Sequence, residues 1–205
     1  MTKKEVALIT GGGTGIGFAI AKKLHSMNKT VVLTGRRKEK LLQAKKILKT
    51  RCHILEHDIS RLETIPKLVI DIEKKIGPIN YLINNAGMHL RKIALETTDE
   101  EWKSVIDTNL NSVFSLSREC AKKMIRRKKG NIILVGSVTT IMGLPDVTAY
   151  ATSKTALSGL ARTLAIELGK YSINVNCICP GFIQTDIFKR VRKKDPNRFK
   201  KILSR

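Results

Sequence analysis

Val6-Ala7-Leu8-Ile9-Thr10-Gly11-Gly12-Gly13-Thr14-Gly15-Ile16-Gly17 is the stretch on which the fold turns. Its first half is a short, nearly unbroken apolar run, which reads as a strand buried on both faces. A glycine turn follows, and then a helical pattern through Ile20, Ala21 and Leu24. Strand, glycine turn and helix N-terminus together make a phosphate site. Glycines let the backbone approach an anion, and the helix dipole with its free N–H groups favours negative charge. The spacing of Gly11, Gly15 and Gly17 differs from G-x-G-x-x-G, so placement on a first strand carries more of the reading than spacing does.

The same unit repeats along the chain. A second buried strand is expected over 30–34, ending at Gly35-Arg36-Arg37. In a dinucleotide fold this strand end meets the adenosine ribose, where an acidic residue would bind both hydroxyls and repel a 2′-phosphate. Here two arginines stand instead. A charge-assisted hydrogen bond contributes about 1.5–3 kcal/mol, which predicts a preference for NADP(H), with NAD(H) still accepted. The plainer reading is two solvated arginines opening a basic helix.

Further on, helices are expected over 39–48, 64–75 and 149–171, and strands over 53–57, 81–83, 132–135 and 173–179. Pro66 is tolerated in a first helical turn. Thr98-Asp99-Glu100-Glu101 reads as a capping box opening one long helix to about residue 126, with Asn109 and Asn111 inside it. Asn111, Ser117 and Ser158 read as ordinary helix positions. Strands alternating with helices, and apolar on both faces, specify a three-layer α/β fold around a doubly wound parallel sheet. Residues 1–205 are read as a single domain.

The 205-residue chain carries a net charge of +22 and 42% hydrophobic residues. That composition is globular rather than disordered. No apolar run approaches a membrane span, and 6–9 is too short for a secretory signal. The default expectation is therefore a cytoplasmic protein. Basic residues cluster at Lys122, Lys123 and 126–129, and nine more fall between Lys189 and Arg205. Neither cluster is interleaved with aromatics, so nucleic acid is a poor fit. Cys52, Cys120, Cys177 and Cys179 read as buried free thiols. Cys177 and Cys179 alternate on a strand, so both face one way and do not easily bridge. The four histidines show no zinc spacing, and no metal is expected.

Tyr150-Ala-Thr-Ser-Lys154 spans one helical turn, so phenol and ammonium share a face. A nearby cation stabilises a phenolate and lowers its pKa, which suits general acid–base work. Ser137 follows the fifth strand and can donate to the same substrate oxygen. Alone, Tyr-x-x-x-Lys is usually a surface pair.

Taken together, 10–17, Asp58, Asn84-Asn85-Ala86-Gly87, Asn109, Ser137, Tyr150-x-x-x-Lys154 and Pro180-Gly181-x-x-x-Thr185-Asp186 resemble the short-chain dehydrogenase/reductase family in order and spacing. The resemblance implies a Rossmann fold with strand order 3-2-1-4-5-6. It implies that Tyr150 is the proton donor, Ser137 polarises the carbonyl, Lys154 lowers the Tyr150 pKa and binds the nicotinamide ribose, and Asn109 holds a water. Gly11, Gly13, Thr14, Gly15, Ile16 and Gly17 would meet the pyrophosphate. Arg36, Arg37, Asp58, Ile59, Asn85, Ala86 and Gly87 would line the adenosine side. Pro180, Gly181, Ile183 and Thr185 would border the nicotinamide. The resemblance implies a further helix and a seventh strand after a segment like 198–205, where this sequence stops. For the sequence as given, strand six is then expected near an uncovered edge, and part of the family's homo-oligomer interface is expected to be missing.

Within the family the motifs look most like 3-oxoacyl-[acyl-carrier-protein] reductases of fatty acid biosynthesis. The basic tail over 189–201 would then steer an acidic carrier protein bearing an acyl thioester. The runner-up is a sugar, polyol or sugar-acid dehydrogenase. The segments choosing between them are 88–93, 139–146 and beyond Phe182, where Met142, Leu144 and Phe182 make a rather apolar mouth. A non-catalytic basic binding protein is a third reading, opposed by the intact Ser, Tyr, Lys and Asn set.

Overall fold

The computed structural model describes residues 5–183. Strands β1 (Val6–Thr10), β2 (Thr30–Gly35), β3 (Cys52–Glu56), β4 (Ile79–Asn84), β5 (Gly130–Val135) and β6 (Ile173–Ile178) form one parallel sheet. Its order is β3-β2-β1-β4-β5-β6, as expected. Helices α1 (Gly15–Ser26) and α2 (Lys38–Leu48) cover one face. Helices α3 (Ile65–Lys75), α5 (Ser112–Arg127) and α6 (Thr148–Gly169) cover the other.

β1 shows why the run at 6–10 is apolar throughout. All five of its residues are buried. Val6 and Leu8 face the α3, α5 and α6 side, and Ala7 and Ile9 face α1 and α2. A strand with helices on both faces has no position left for a polar side chain. Only Thr10, at its end, is polar, and its buried hydroxyl accepts from the N–H groups of Asn85 and Ala86, just past β4.

The helix expected to run to about residue 126 does so, ending at Arg127, but with a change of winding inside it. The capping box is present: Glu101 N donates to Thr98 Oγ1 at 3.2 Å, and Thr98 N donates to Glu101 Oε2 at 3.0 Å. It opens α4 (Asp99–Ile106), which passes through a π-helical turn, Asp107–Asn111, before α5 begins. Such a turn inserts one extra residue into the helix and re-aims its side chains. Asn109 sits within it and is fully buried. Asn111 Nδ2 donates back to Asp107 Oδ1 at 2.7 Å, a local structural bond. Ser117 is more than a plain helix position, since its Oγ accepts from Asn84 Nδ2 at 3.0 Å in the core.

Much of the basic cluster at 122–129 is committed internally. Arg127 donates to Glu73 at 2.6 and 3.0 Å and to the Ile79 carbonyl at 3.0 Å. Lys122 pairs with Glu119, and Lys129 with Glu5. Along β6, Asn174 and Asn176 are exposed, and β6 pairs only with β5 among the described residues. The basic tail from Lys189, and Thr185, lie outside the described residues.

Glu5 ties three parts of the chain together, because Lys129, Lys29 and the Tyr81 hydroxyl all donate to it. Its pKa is lowered to about 2, first by the Lys129 bond and then by Lys29. A depressed carboxylate contributes stability above its unfolded pKa and loses it as pH falls through the folded one. The Glu5 contribution should therefore disappear between about pH 4.5 and pH 2. Glu5→Gln is expected to cost about 1 kcal/mol at pH 7, and nothing extra at pH 2. Urea unfolding at the two pH values checks this, and an equal cost at both would contradict it.

Candidate active site

The carboxyl ends of β1, β2, β3 and β4 open onto one cleft. Gly11, Gly13, Thr14, Arg36, Arg37, Asp58, Ile59, Ala86 and Gly87 all line it. The floor depends on small residues. Gly11 has φ +63°, and a Cβ there would lie 2.9 Å from Asn85 Nδ2. Gly15 also takes positive φ, at +55°. Gly15, Ile16 and Gly17 form the first turn of α1, which holds no acidic residue and no side-chain cap. Its first N–H groups and dipole are therefore available to an anion.

Asn85 supports the cleft from behind the glycine turn. Its Nδ2 donates to the carbonyls of Thr10 at 2.9 Å and Gly11 at 3.3 Å, while its own N–H and that of Ala86 donate to Thr10 Oγ1. Asn85 thus clamps the glycine turn to the end of β4, acting on the cleft through the backbone.

At the far end, Arg37 Nη2 donates weakly to Thr14 Oγ1 at 3.4 Å. Asp58 Oδ1 accepts from Ser60 N–H at 3.0 Å and Ser60 hydroxyl at 2.8 Å. Burial pushes its carboxyl up, but the Ser60 bonds with the charges of Arg36 and Arg61 hold it below the usual range. Thr34, Gly35, Lys40, Leu41, His57 and Thr108 also line the cleft, and sequence reading missed them. Lys40 had a signal: it lies one helical turn from Arg36 and Arg37 on the first turn of α2. His57 had one too: it stands at the carboxyl end of the third strand, next to Asp58, where ligands of such sheets bind.

The second group of residues sits beyond Gly87. A Cβ on Gly87 would meet Asn109 Oδ1 at 3.2 Å and Lys154 Nζ at 3.4 Å. Asn109 holds the loop there: its Oδ1 accepts from Met88 N at 2.8 Å, and its Nδ2 donates to Met88 O and Ser153 Oγ. Ser137 starts a 3₁₀ turn over Val138–Thr140, with its Oγ accepting from Thr139 N at 3.2 Å. The Ser137 hydroxyl also hydrogen-bonds the Tyr150 phenol. Ser137, Tyr150, Lys154 and Asn109, scattered over 46 residues of sequence, therefore meet at one place.

One expectation is reversed. Lys154 was expected to pull the Tyr150 pKa down, yet it is raised, because burial outweighs the Ser137 bond. The ammonium is spent elsewhere: Lys154 Nζ donates to the Val135 carbonyl at 2.7 Å and stands 5.9 Å from the centre of the Tyr150 ring. Its own pKa falls to about 8 because it is buried, against the opposing pull of Cys177 and Cys179.

His89 is a neighbour that no sequence spacing announced. Its ring lies 4.6 Å from that of Tyr150, tilted by 47°. The segment carrying it is pinned by Asn109 at Met88 and by Lys92 N donating to the Asp146 carbonyl at 2.8 Å. Lys92 pairs further with Glu101, and Arg91 with Asp146. Pro180, Gly181 and Ile183 follow β6, and the Pro180 carbonyl accepts from Val138 N at 2.9 Å, next to Ser137.

The family model described as short chain dehydrogenase matches residues 5–196. Nodulation protein G of Rhizobium sp. (strain N33) is 35% identical over 188 residues, 92% of this chain and 77% of that protein. The 3-oxoacyl-[acyl-carrier-protein] reductase of Buchnera aphidicola subsp. Baizongia pistaciae is 34% identical over 199 residues, covering 97% and 81%. Among solved structures, a variant of actinorhodin polyketide ketoreductase with NADPH superposes with a TM-score of 0.89 at 31% identity, over 96% of this chain and 77% of that one. No helix among the described residues is long and apolar enough to cross a membrane. With the family match spanning nearly the whole chain, and its sheet order and motif residues assembled as above, this protein belongs to the short-chain dehydrogenase family of oxidoreductases.

Proposed function

We propose that this chain reduces a carbonyl to an alcohol with NADPH, and that Tyr150 is the general acid. The observation that carries the reading is the junction at Gly87, where a cleft built for an anionic dinucleotide runs into the Ser137, Tyr150 and Lys154 group. The cleft residues fit the cofactor: Gly11 keeps a floor that a Cβ would fill, and α1 aims uncapped N–H groups over it. When bound, the dinucleotide supplies the hydride.

Everything else falls to the chain's own side chains. Burial keeps the Tyr150 phenol protonated at neutral pH, so it holds the proton that the nascent alkoxide needs. Ser137 hydrogen-bonds the carbonyl oxygen and stabilises its developing charge. Lys154, with a pKa near 8, sits close to neutrality and restores the proton balance as the phenolate forms. Asn109 positions Gly87 and Met88 at the boundary. Arg36 and Arg37 receive the 2′-phosphate.

For the substrate we favour a 3-oxoacyl thioester delivered on an acidic carrier, in a homo-oligomeric enzyme. Ile93 and Ile141, exposed apolar residues in the segments that choose the substrate, favour an acyl chain. So do the names of relatives such as the Buchnera reductase. One observation favours a sugar or polyol instead: His89 places a polar ring against Tyr150.

Fluorescence titration with NADPH and with NADH tests the cofactor reading directly. NADPH is expected to bind at least about tenfold more tightly, in line with one charge-assisted bond. The double variant Arg36→Ala/Arg37→Ala should erase that difference. Equal affinity for both cofactors in the unchanged chain would refute the role of the arginines. A panel of acetoacetyl thioesters and keto sugars then separates the two substrate readings.

A further inference from the structure

We propose that Cys177 and Cys179 form a dithiol site that captures a monosubstituted trivalent arsenical, or an equivalent three-coordinate thiophilic centre. Along β6, Val175 and Cys177 face α6 while Asn174 and Asn176 face away. Cys179, one residue past the strand, continues the alternation. Its Sγ lies 4.0 Å from that of Cys177. The sequence expectation of buried, unrelated thiols holds for Cys52 and Cys120, which are buried, but not for this pair: Cys177 is half-buried and Cys179 exposed.

The pair is held in place. Gly136 lies directly beneath it, and a Cβ there would meet each sulfur at 3.0 Å. Gly136 N donates to the Ile178 carbonyl at 2.8 Å, which fixes the end of β6 against the end of β5. Cys179 Sγ reaches Thr140 Oγ1 at 3.6 Å. The site therefore backs onto the backbone that carries Ser137.

Distances decide what the sulfurs can hold. Two residues along a strand advance roughly 6.6–6.8 Å, at the upper limit of the Cα separation a disulfide spans. The sulfurs are also about twice a disulfide bond length apart. A direct disulfide would thus require the end of β6 to bend. A centre placed between them does not, since two thiolates with bonds of about 2.3 Å on a tetrahedral ion stand roughly 3.8 Å apart. A zinc-like ion needs two more ligands, however, and no cluster of three His, Cys, Asp or Glu exists among the described residues. A centre that brings its own third bond needs only these two sulfurs.

The chemistry balances without an oxidant. An organic arsenoxide, R–As=O, condenses with both thiols to give R–As(S)₂ and one water. Two S–H bonds and the As=O bond break, two As–S bonds form, both protons leave in the water, and arsenic stays trivalent. Burial, and then the neighbouring Cys179, push the Cys177 thiol up to about 11. The thiolate is the attacking form, so the exposed Cys179 bonds to arsenic first and the half-buried Cys177 closes the ring. Each sulfur gives up its proton to the departing water, and no net charge is left beside Lys154.

The test uses the full chain, phenylarsine oxide and intact mass measurement. One adduct per chain is expected. It should survive excess monothiol, which strips singly bonded arsenic, and be removed by 2,3-dimercaptopropanol. Cys177→Ser and Cys179→Ser should each abolish the monothiol-resistant adduct, and Cys52→Ser should keep it. Cys179 is exposed, so Cys179→Ser decides the matter if Cys177→Ser fails to fold, with circular dichroism confirming its fold. A resistant adduct that persists in Cys179→Ser, or none on the unchanged chain, overturns the proposal.

Discussion

Tyr150→Phe is expected to lower carbonyl reduction by about 10²–10⁴-fold, the usual contribution of a positioned general acid. At about 1.4 kcal/mol per factor of ten, that is a barrier increase of roughly 3–5 kcal/mol. The substitution removes one oxygen from a half-buried ring. The ring keeps its packing against His89, and Lys154 keeps its bond to the Val135 carbonyl. NADPH affinity should therefore change little, because the cleft residues lie on the other side of Gly87. Single-turnover oxidation of bound NADPH by an acetoacetyl thioester or a keto sugar, with a parallel binding titration, separates the two effects. A variant that binds NADPH and still turns over at more than a tenth of the original rate would place the acid elsewhere.

Gly17→Ala should act on folding and cofactor binding together. A Cβ at this position would fall 2.5 Å from Asn85 Nδ2 and 2.6 Å from the Gly11 carbonyl. Neither neighbour can give way cheaply. Moving Asn85 breaks its bonds to the Thr10 and Gly11 carbonyls, and moving Gly11 disturbs the turn itself. Overpacking of this kind costs about 1–3 kcal/mol, and each lost hydrogen bond about 1 kcal/mol more. Gly159→Ala is the matched control. It lies within α6, where the nearest atom to a new Cβ is the end of Arg162 at 3.9 Å. There the gain in helix propensity should stabilise by about 0.5–1 kcal/mol. Urea midpoints should thus move in opposite directions, and NADPH binding should fail only in Gly17→Ala. A Gly17→Ala chain as stable and as tight-binding as the original would mean that the turn is not the rigid clamp the geometry describes.

Before any coordinates, the sequence determined the alternation of strands and helices, the parallel sheet and the residue types of the site. Those features are local. A strand buried on both faces must be apolar throughout, a glycine turn must open a helix for backbone to approach an anion, and Tyr150 and Lys154 share a face by helical geometry alone. The tertiary structure decided what depends on distant segments. Asp107-Thr-Asn-Leu-Asn111 is poor in helix formers, but that pattern does not say that the helix takes a π turn there and buries Asn109. The clamp that Asn85 puts on the glycine turn was not legible in sequence, because its partners lie some 75 positions away. The direction of the Tyr150 pKa also reversed. Sequence places a cation one turn away, but burial and the Val135 carbonyl determine where that cation points and which influence wins. The contact of His89 with Tyr150 likewise arises only where segments distant in sequence converge. The shared face of Cys177 and Cys179 was legible in the strand alternation, but the exposure of Cys179 and the packing of both sulfurs over Gly136 were not.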